Sequence, residues 1–280
     1  MGEKFNVAVC QMRVGNHKID NLQCAEKMIH ESAQKGARII ILPEMFNVPY
    51  QTEIMAQQAE ICPGETTAIL SELASRNEII LVAGSIPEKD ANGKIFNTSY
   101  TFDQQGSIIG KHRKIHLFDI DIPGSISFQE SNVFSAGDNL QIIRHEDLIF
   151  AVIICYDIRF PELARIAALE GAQLLIVPAA FNDTTGPAHW ELLMRTRAVD
   201  NQLFVIACSP ALNPEAIYHA WGHSLVVDPW GRIISEGGIE EEIIEAELDF
   251  SIFDKVRREL PLLQHRRTDI YELSYQGNNQ

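Results

Sequence analysis

The chain is short of positive charge and of long apolar runs. It carries 23 Lys and Arg against 38 Asp and Glu, which gives a formal net charge of −15 at pH 7. A broad nucleic-acid or anionic-membrane surface needs clustered Lys and Arg, so we expect neither kind of partner. No apolar stretch reaches the length of a membrane span, and the first ten residues, MGEKFNVAVC, contain no apolar leader. We therefore expect a cytoplasmic protein.

Cysteine is also sparse and shows no pairing pattern. Cys10, Cys24, Cys62, Cys155 and Cys208 are far apart, and none belongs to a C-x-x-C or Cys/His motif. This spacing indicates neither a disulfide framework nor a structural zinc site, and we expect no metal and no cofactor. With 46% apolar and 22% charged residues, the composition is typical of an ordinary globular protein rather than of a disordered one.

What the sequence does contain is a repeated strand–helix–strand plan. Apolar runs at 5–12 and 36–43 flank one helical pattern, and runs at 148–157 and 171–178 flank another. The second run of each unit is short and rich in branched residues after a glycine, which is typical of a buried strand. The pattern predicts an α/β fold with an internal pseudo-repeat.

The remaining periodic segments complete the predicted fold. Further strands are predicted at 79–84, 96–103, 106–112, 203–208, 223–228 and 241–248, and further helices at 65–77 and 187–200. The mixed, glycine- and proline-containing segment 112–140 is predicted to be a long functional loop. We expect a single domain over residues 1–280, with a C-terminal extension from about residue 250.

Three candidate functional segments follow predicted strands. Glu44 follows RIIILP, Cys155 follows FAVII, and residues 179–183 (AAFND) follow LLIVP, while Lys114 follows GSIIGKHRK. Ligands of open α/β sheets bind beyond the carboxyl ends of the strands, so the pseudo-repeat predicts that the first three meet at one rim. Each residue alone has a structural explanation, because cysteine is usually a core residue and a basic run is usually a solvated face.

Three sequence blocks together change this interpretation. LPEMF at 42–46, HRKIHLFD at 112–119 and CYDIRFPEL at 155–163 resemble, in order, the signature blocks of the nitrilase superfamily of carbon–nitrogen hydrolases. That resemblance implies a Glu–Lys–Cys triad of Glu44, Lys114 and Cys155. It also implies a four-layer α-β-β-α sandwich, which commonly forms a homodimer or a larger homo-oligomer through its helical faces.

Longer blocks resemble the omega-amidase branch of that superfamily. They are KIHLFDIDIPG at 114–124, FQES at 128–131, NDTTGPAHWELLMRTRAVDNQ at 182–202 and AWGHS at 220–224. The resemblance implies hydrolysis of the terminal amide of 2-oxoglutaramate or 2-oxosuccinamate to the 2-oxo acid and ammonia. Deaminated glutathione, an N-carbamoyl amine or a nitrile remain alternative substrates. A catalytically silent scaffold is an alternative of another class.

The resemblance also implies a role for each catalytic residue. Cys155 would attack the amide carbonyl to form a thioester, and Glu44 would act as the general base that removes the thiol proton. Lys114 and the backbone N–H of Tyr156 would stabilise the tetrahedral oxyanion. Glu130 would orient Lys114 or the substrate amide, although a surface-loop carboxylate is an equal alternative.

Substrate contacts are predicted with alternatives left open. Arg159 is the first candidate for the substrate carboxylate, because a guanidinium forms paired hydrogen bonds with that group. Tyr50, Phe181 and Thr185 are candidates to line the pocket, and loop packing would explain each equally well. Structural partners are the alternative for Arg159, and the candidates are Asp157, Glu162 and Asp119.

Three histidines receive no catalytic role. His189 in GPAHWEL begins a predicted helix, where capping or packing is the favoured interpretation. His116 and His223 suggest a Cys–His pair of the papain type, but the family pattern already supplies a carboxylate base.

Overall fold

The computed structural model describes residues 4–123 and 126–277. Three parts of the predictions lie outside the described residues. They are residues 124 and 125 of the predicted segment 112–140 (the first of which also ends the block at 114–124), the first three residues of the predicted domain and residues 278–280 of its extension.

Within the described residues, the strands form two large sheets and one hairpin. The first sheet runs β15 (Glu242–Asp249), β1 (Lys4–Gln11), β2 (Ile39–Ile41), β3 (Ile80–Val82), β5 (Ile95–Phe102) and β4 (Ile86–Lys89), with β6 (Ile108–Arg113) paired to β5. The second runs β14 (Ile233–Glu236), β13 (Leu225–Val227), β12 (Phe204–Cys208), β11 (Leu174–Pro178), β10 (Leu148–Val152) and β9 (Gln141–His145). The hairpin pairs β7 (Asp119–Ile122) with β8 (Ile126–Gln129).

The helices connect these strands and cover the sheets. They are α1 (Lys18–Gln34), α2 (Thr52–Gln57), α3 (Glu65–Arg76), α4 (Pro161–Leu169), α5 (Gly186–Asn201) and α6 (Ile252–Glu259). Two 3₁₀ turns, Glu130–Asn132 and Cys155–Arg159, carry candidate site residues. In the part of the chain that the structure describes, no helix combines the length and the apolar character that crossing a membrane requires.

The pseudo-repeat predicted from the sequence is confirmed. In the first sheet β1, β2 and β3 are parallel, and in the second β10, β11 and β12 are parallel. Helix α1 connects β1 to β2, and α4 connects β10 to β11. Glu44 lies a few residues beyond β2, the second strand of the first unit, and Cys155 a few residues beyond β10, the first strand of the second unit, so the two follow strands of different sheets.

Alternating side chains of the central strands produce a layered core. Val7 and Val9 of β1 belong to a cluster that also contains Phe150 of β10, so this cluster lies between the two sheets. Ala8 and Cys10 of the same strand pack instead with α1 and α3. The second sheet packs its other face against α4 and α5. The order is helices, sheet, sheet, helices, which confirms the predicted four-layer α-β-β-α sandwich.

Several local predictions need correction. The strand predicted over 148–157 ends at Val152, because the chain turns into the 3₁₀ segment at Cys155. The segment 112–140, predicted as a loop, contains the hairpin of β7 and β8. Strands β4, β9 and β14 and helices α2 and α6 were not predicted; each is at most eight residues long, which leaves too few repeats for a period to be recognised.

Candidate active site

A buried ammonium between two carboxylates forms the centre of the site. Lys114, just after β6, donates from Nζ to Glu44 Oε1 at 3.0 Å and to Glu130 Oε2 at 2.8 Å. All three side chains are at most 2% exposed. Glu130 Oε2 also accepts the backbone N–H of Phe118 at 2.7 Å, so Glu130 fixes Lys114 from a rigid turn. Two N–H groups of the ammonium are used, which leaves the third for another acceptor.

The charges of this network change the protonation behaviour of its members. Burial raises the pKa of Glu44, and the charge of Lys114 offsets only part of that effect. Burial alone would lower the pKa of Lys114, but the charges of Glu130 and Glu44 outweigh it and hold that pKa well above its usual range. The two carboxylates therefore favour the cationic form of Lys114, and burial makes Glu44 bind a proton more readily than an exposed carboxylate does.

Cys155 lies at the first position of a strained turn beside this network. Its φ of +47° is in the left-handed region, which is uncommon for a residue other than glycine. Burial and the neighbouring Glu44 charge raise the pKa of its thiol well above the usual value, although the backbone N–H of Ala180 acts in the opposite direction. The side chain of Cys155 is therefore favoured as a neutral thiol.

Asp157 anchors the turn that carries Cys155. Its Oδ1 accepts the backbone N–H and Nδ1 of His116, each at 2.8 Å, and its Oδ2 accepts His112 Nε2 and the backbone N–H of Ile154, each at 3.1 Å. Burial would raise the pKa of Asp157, but the hydrogen bonds from the two histidines outweigh it and hold the pKa well below its usual range. The two histidines flank Lys114 in sequence, so Asp157 ties the nucleophile turn to the segment that carries the ammonium.

A cleft opens from the protein surface onto Glu44. Its wall includes Tyr50, Ala180 and Tyr218 as well as loop residues after β12. Tyr50 stacks on Tyr218 with ring centroids 4.4 Å apart, and the Tyr218 hydroxyl donates to the carbonyl of Ala180. Burial raises the pKa of both tyrosines well above their usual value, so both stay neutral. The structure thus places Tyr50 at the cleft together with Tyr218, which was not predicted; contact of Tyr50 with substrate stays a prediction.

Arg159 is held by uncharged partners. Its guanidinium carbon lies 4.8 Å from the ring centroid of Phe181 and 5.7 Å from that of Tyr156, and its NH1 bonds His189 Nδ1 at 3.1 Å. Among the described residues, no carboxylate lies within ion-pair distance of it, so the structural pairing considered as an alternative is not found. His189 contacts Arg159 rather than capping α5.

Other predicted residues are used differently. Thr185 is buried at the start of α5, where its hydroxyl donates to Asn182 Oδ1 at 3.0 Å. The Tyr156 ring packs edge-on against Phe118, with centroids 5.2 Å apart. Contacts of Thr185, Phe181 and Tyr156 with substrate stay predictions.

Two buried polar residues of the site were not assigned from sequence. Asn97 of β5 donates from Nδ2 to Glu44 Oε1 at 2.8 Å and to Glu130 Oε1 at 3.2 Å. Its signal was the polar run NTS within an otherwise apolar strand, since buried polar side chains need partners. Asp157 stood inside a matched block, and its burial only two residues after the nucleophile was not visible in the pattern. Over residues 4–123 and 126–277, no group of His, Cys, Asp or Glu is arranged to hold a metal ion.

Comparison with known proteins places the chain in a family. Residues 6–258 match the carbon–nitrogen hydrolase family. The chain is 50% identical to omega-amidase NIT2 of Danio rerio, covering 97% of this chain and 98% of that protein. It is 48% identical to omega-amidase NIT2 of Homo sapiens, covering 95% and 96%. The structure of Saccharomyces cerevisiae Nit3, a member of branch 10 of the nitrilase superfamily, superposes with a TM-score of 0.88 at 45% identity, covering 95% and 97%.

This chain therefore belongs to the carbon–nitrogen hydrolase family of the nitrilase superfamily, which confirms the family predicted from the three sequence blocks.

The anchoring role of Asp157 gives a stability prediction. In Asp157→Asn, an amide nitrogen replaces one acceptor oxygen, and a buried donor loses its partner at a cost of roughly 1–3 kcal/mol. We expect the free energy of unfolding at pH 7, measured by urea denaturation, to fall by that amount. Asp269→Asn, which removes an exposed carboxylate paired with Arg267, should change stability little.

The contribution of Asp157 to the free energy of unfolding is also predicted to depend on pH. The pKa of Asp157 is depressed in the folded state, so its contribution is fully present above the unfolded pKa of about 4 and is lost as pH falls through the folded pKa. The difference in the free energy of unfolding between wild type and Asp157→Asn should therefore become smaller below about pH 4. A difference that is constant down to the acid limit of folding would contradict this assignment.

Proposed function

We propose that this protein is an omega-amidase that hydrolyses the terminal amide of short 2-oxo dicarboxylic acid monoamides, such as 2-oxoglutaramate and 2-oxosuccinamate. The products are the 2-oxo acid and ammonia. The observation that carries the proposal is the buried Glu44–Lys114–Glu130 network beside Cys155, within a chain 48–50% identical to omega-amidases over nearly its whole length.

The first step is attack of Cys155 Sγ on the amide carbonyl carbon. Glu44 accepts the thiol proton as the S–C bond forms, and the carbonyl electrons move onto oxygen. Resting ionisation of the thiol is unfavourable, because a thiolate would add negative charge to a buried site that already holds two carboxylates and one ammonium. If Glu44 removes the proton while Cys155 attacks, no free thiolate has to form in the site.

The oxyanion then needs donors that are already oriented. The third N–H of Lys114 and the backbone N–H of Tyr156, directly after the nucleophile, serve this purpose. Collapse of the intermediate breaks the C–N bond, and Glu44 returns the proton to the departing nitrogen as ammonia forms. Glu44 then takes a proton from water as the water oxygen attacks the thioester carbonyl carbon. The C–S bond breaks, the acid is released, and Glu44 returns the proton to Cys155 Sγ to restore the thiol.

Recognition of the substrate carboxylate is assigned to Arg159. It is the cation next to the nucleophile turn whose partners are aromatic faces and a histidine rather than a carboxylate. Phe181 and Tyr156 hold the guanidinium plane, so less conformational freedom is lost when a carboxylate binds. Tyr50, Phe181 and Thr185 line the substrate pocket in this assignment.

Domain organisation and assembly belong to the same proposal. Residues 1–280 form one carbon–nitrogen hydrolase domain with a C-terminal extension from about residue 250, which folds back so that Tyr275 bonds Asn139 and Leu140. A homodimer is supported by exposed apolar side chains on and beside α5, where Leu192 and Trp230 are 63% and 46% exposed. We place the protein in the cytoplasm, which suits its five free thiols.

The activity is tested by ammonia release from 2-oxoglutaramate. Wild type should release ammonia, and Cys155→Ala should lose roughly 10⁴–10⁶-fold in kcat, because the covalent path is removed. Cys24→Ala, which removes a half-buried thiol away from the cleft, serves as the control and should retain activity. Ammonia release by Cys155→Ala at the wild-type rate would refute the nucleophile.

Substrate class is decided by kcat/KM values measured side by side. The proposal requires the value for 2-oxoglutaramate to exceed those for deaminated glutathione, an N-carbamoyl amine and a nitrile. A higher value for any of these three would assign the protein to another activity of its superfamily.

The role of Arg159 predicts a change in substrate binding. Arg159→Met should raise KM for 2-oxoglutaramate by about 10–100-fold, since a hydrogen-bonded charge contributes roughly 1.5–3 kcal/mol. Hydrolysis of a short monoamide without a carboxylate should be unaffected, which separates this role from a general structural one. Arg195→Met, which removes a surface cation paired with Glu191, is the matched control. An unchanged KM would exclude Arg159 as the carboxylate ligand.

A further inference from the structure

Asn97 is a neutral side chain that, like Lys114, bonds both carboxylates of the site. Its Nδ2 lies 2.8 Å from Glu44 Oε1 and 3.2 Å from Glu130 Oε1. Both partners are carboxylate oxygens, which accept hydrogen bonds when ionised, so the nitrogen and not the oxygen of the amide must face them. Asn97 is fully buried, so its hydrogen bonds to the two carboxylates determine the orientation of its amide group.

The backbone of Asn97 also bonds the third member of the network. Its carbonyl accepts the backbone N–H of Lys114 at 2.8 Å. One residue thus sets the position of Lys114 through its main chain, and of both glutamates through its side chain. Since Asn97 lies in β5, in the interior of the first sheet, the reference point is rigid.

The two oxygens of Glu44 have different surroundings as a result. Oε1 accepts from Asn97 and from Lys114. Oε2 is buried, and within the part of the chain that the structure describes no donor meets it with hydrogen-bond geometry. The thiol of Cys155 nevertheless interacts with the Glu44 carboxylate, since each of the two groups shifts the pKa of the other. A carboxylate with a single donor on Oε1 could rotate about its terminal bond, whereas two donors converging on one oxygen hold the plane of the group.

We propose that Asn97 is a positioning residue that fixes Glu44 so that the unpartnered oxygen, Oε2, is the one that exchanges a proton with the Cys155 thiol. This inference rests on the proposed function in taking Glu44 as the base. Asn97 touches no reacting atom; it acts through Glu44, and through Glu130 on the orientation of Lys114.

The experiment compares wild type, Asn97→Ala, Asn97→Asp and Thr98→Val. Thr98 is the adjacent residue of β5, and its hydroxyl donates at 2.7 Å to Glu88, a buried glutamate outside the site. Thr98→Val therefore removes the same kind of buried hydrogen bond on the same strand. The readout is the rate of Cys155 alkylation by iodoacetamide across pH, located by peptide mass, together with kcat and KM for 2-oxoglutaramate.

Asn97→Ala removes the amide that donates a hydrogen bond to the ionised carboxylate of Glu44. In Asn97→Ala the midpoint of Cys155 alkylation should move up by about one pH unit, since a hydrogen bond to a charged group has roughly that effect. The kcat should fall about 10–100-fold with KM changed less than threefold. Thr98→Val should reproduce the wild-type midpoint and kcat.

If Asn97→Ala fails to fold, Asn97→Asp provides a second test. It keeps the shape of the side chain and changes its charge. Its side chain presents an oxygen to two carboxylates, so kcat should fall below 10% of wild type and the alkylation midpoint should move in the same upward direction. Superimposable alkylation profiles of wild type and the folded Asn97 variants would overturn the inference. So would a change confined to KM.

Failure of the proposed function would look different. If wild type releases no ammonia from 2-oxoglutaramate, the omega-amidase assignment fails. The alkylation profiles need no amide substrate, and they would still decide whether Asn97 controls the base beside Cys155.

Discussion

The rest of the site depends on one buried ammonium, that of Lys114, held between two carboxylates. Burying three charged groups is unfavourable unless each has partners of good geometry. Here the partners come from the end of β2, from the strand β5 and from a turn beyond the hairpin, so the fold must assemble before the charges are compensated. The network therefore links sheet packing to chemistry, because any displacement of these segments would leave a buried charge without its partner.

The excess negative charge of that network determines the protonation state of the thiol beside it. One ammonium faces two carboxylates, so a neighbouring thiol is kept protonated and a resident thiolate, as in a Cys–His pair, is disfavoured. Cys155 reaches this environment from the other sheet, on a turn with positive φ that Asp157 secures. Each sheet thus contributes one half of the proposed site: Glu44 and Lys114 come with the first, and Cys155 comes with the second.

The sequence predicts the parts of this arrangement that depend on regular structure. Glu44 and Cys155 each follow a parallel strand of one unit of the pseudo-repeat, and functional side chains gather at the carboxyl ends of parallel strands. Lys114 needed the family blocks, since a basic residue after an edge strand is ordinarily solvated. Asn97, Asp157 and Tyr218 could not be predicted, because their roles arise from contacts between segments distant in sequence. The short outer strands β4, β9 and β14 were missed for a related reason: pairing with neighbours, rather than their own periodicity, defines them.

The central claim is that Cys155 becomes covalently acylated while the base and cation beside it are held in place. The most direct measurement is rapid acid quenching of the protein during turnover of 2-oxoglutaramate, followed by peptide mass spectrometry. The account predicts an acyl group on the peptide that carries Cys155, and unmodified peptides for Cys10, Cys24, Cys62 and Cys208. Ammonia release accompanied by an acyl group on another residue, or with no acyl group on Cys155 at any quench time, would contradict it.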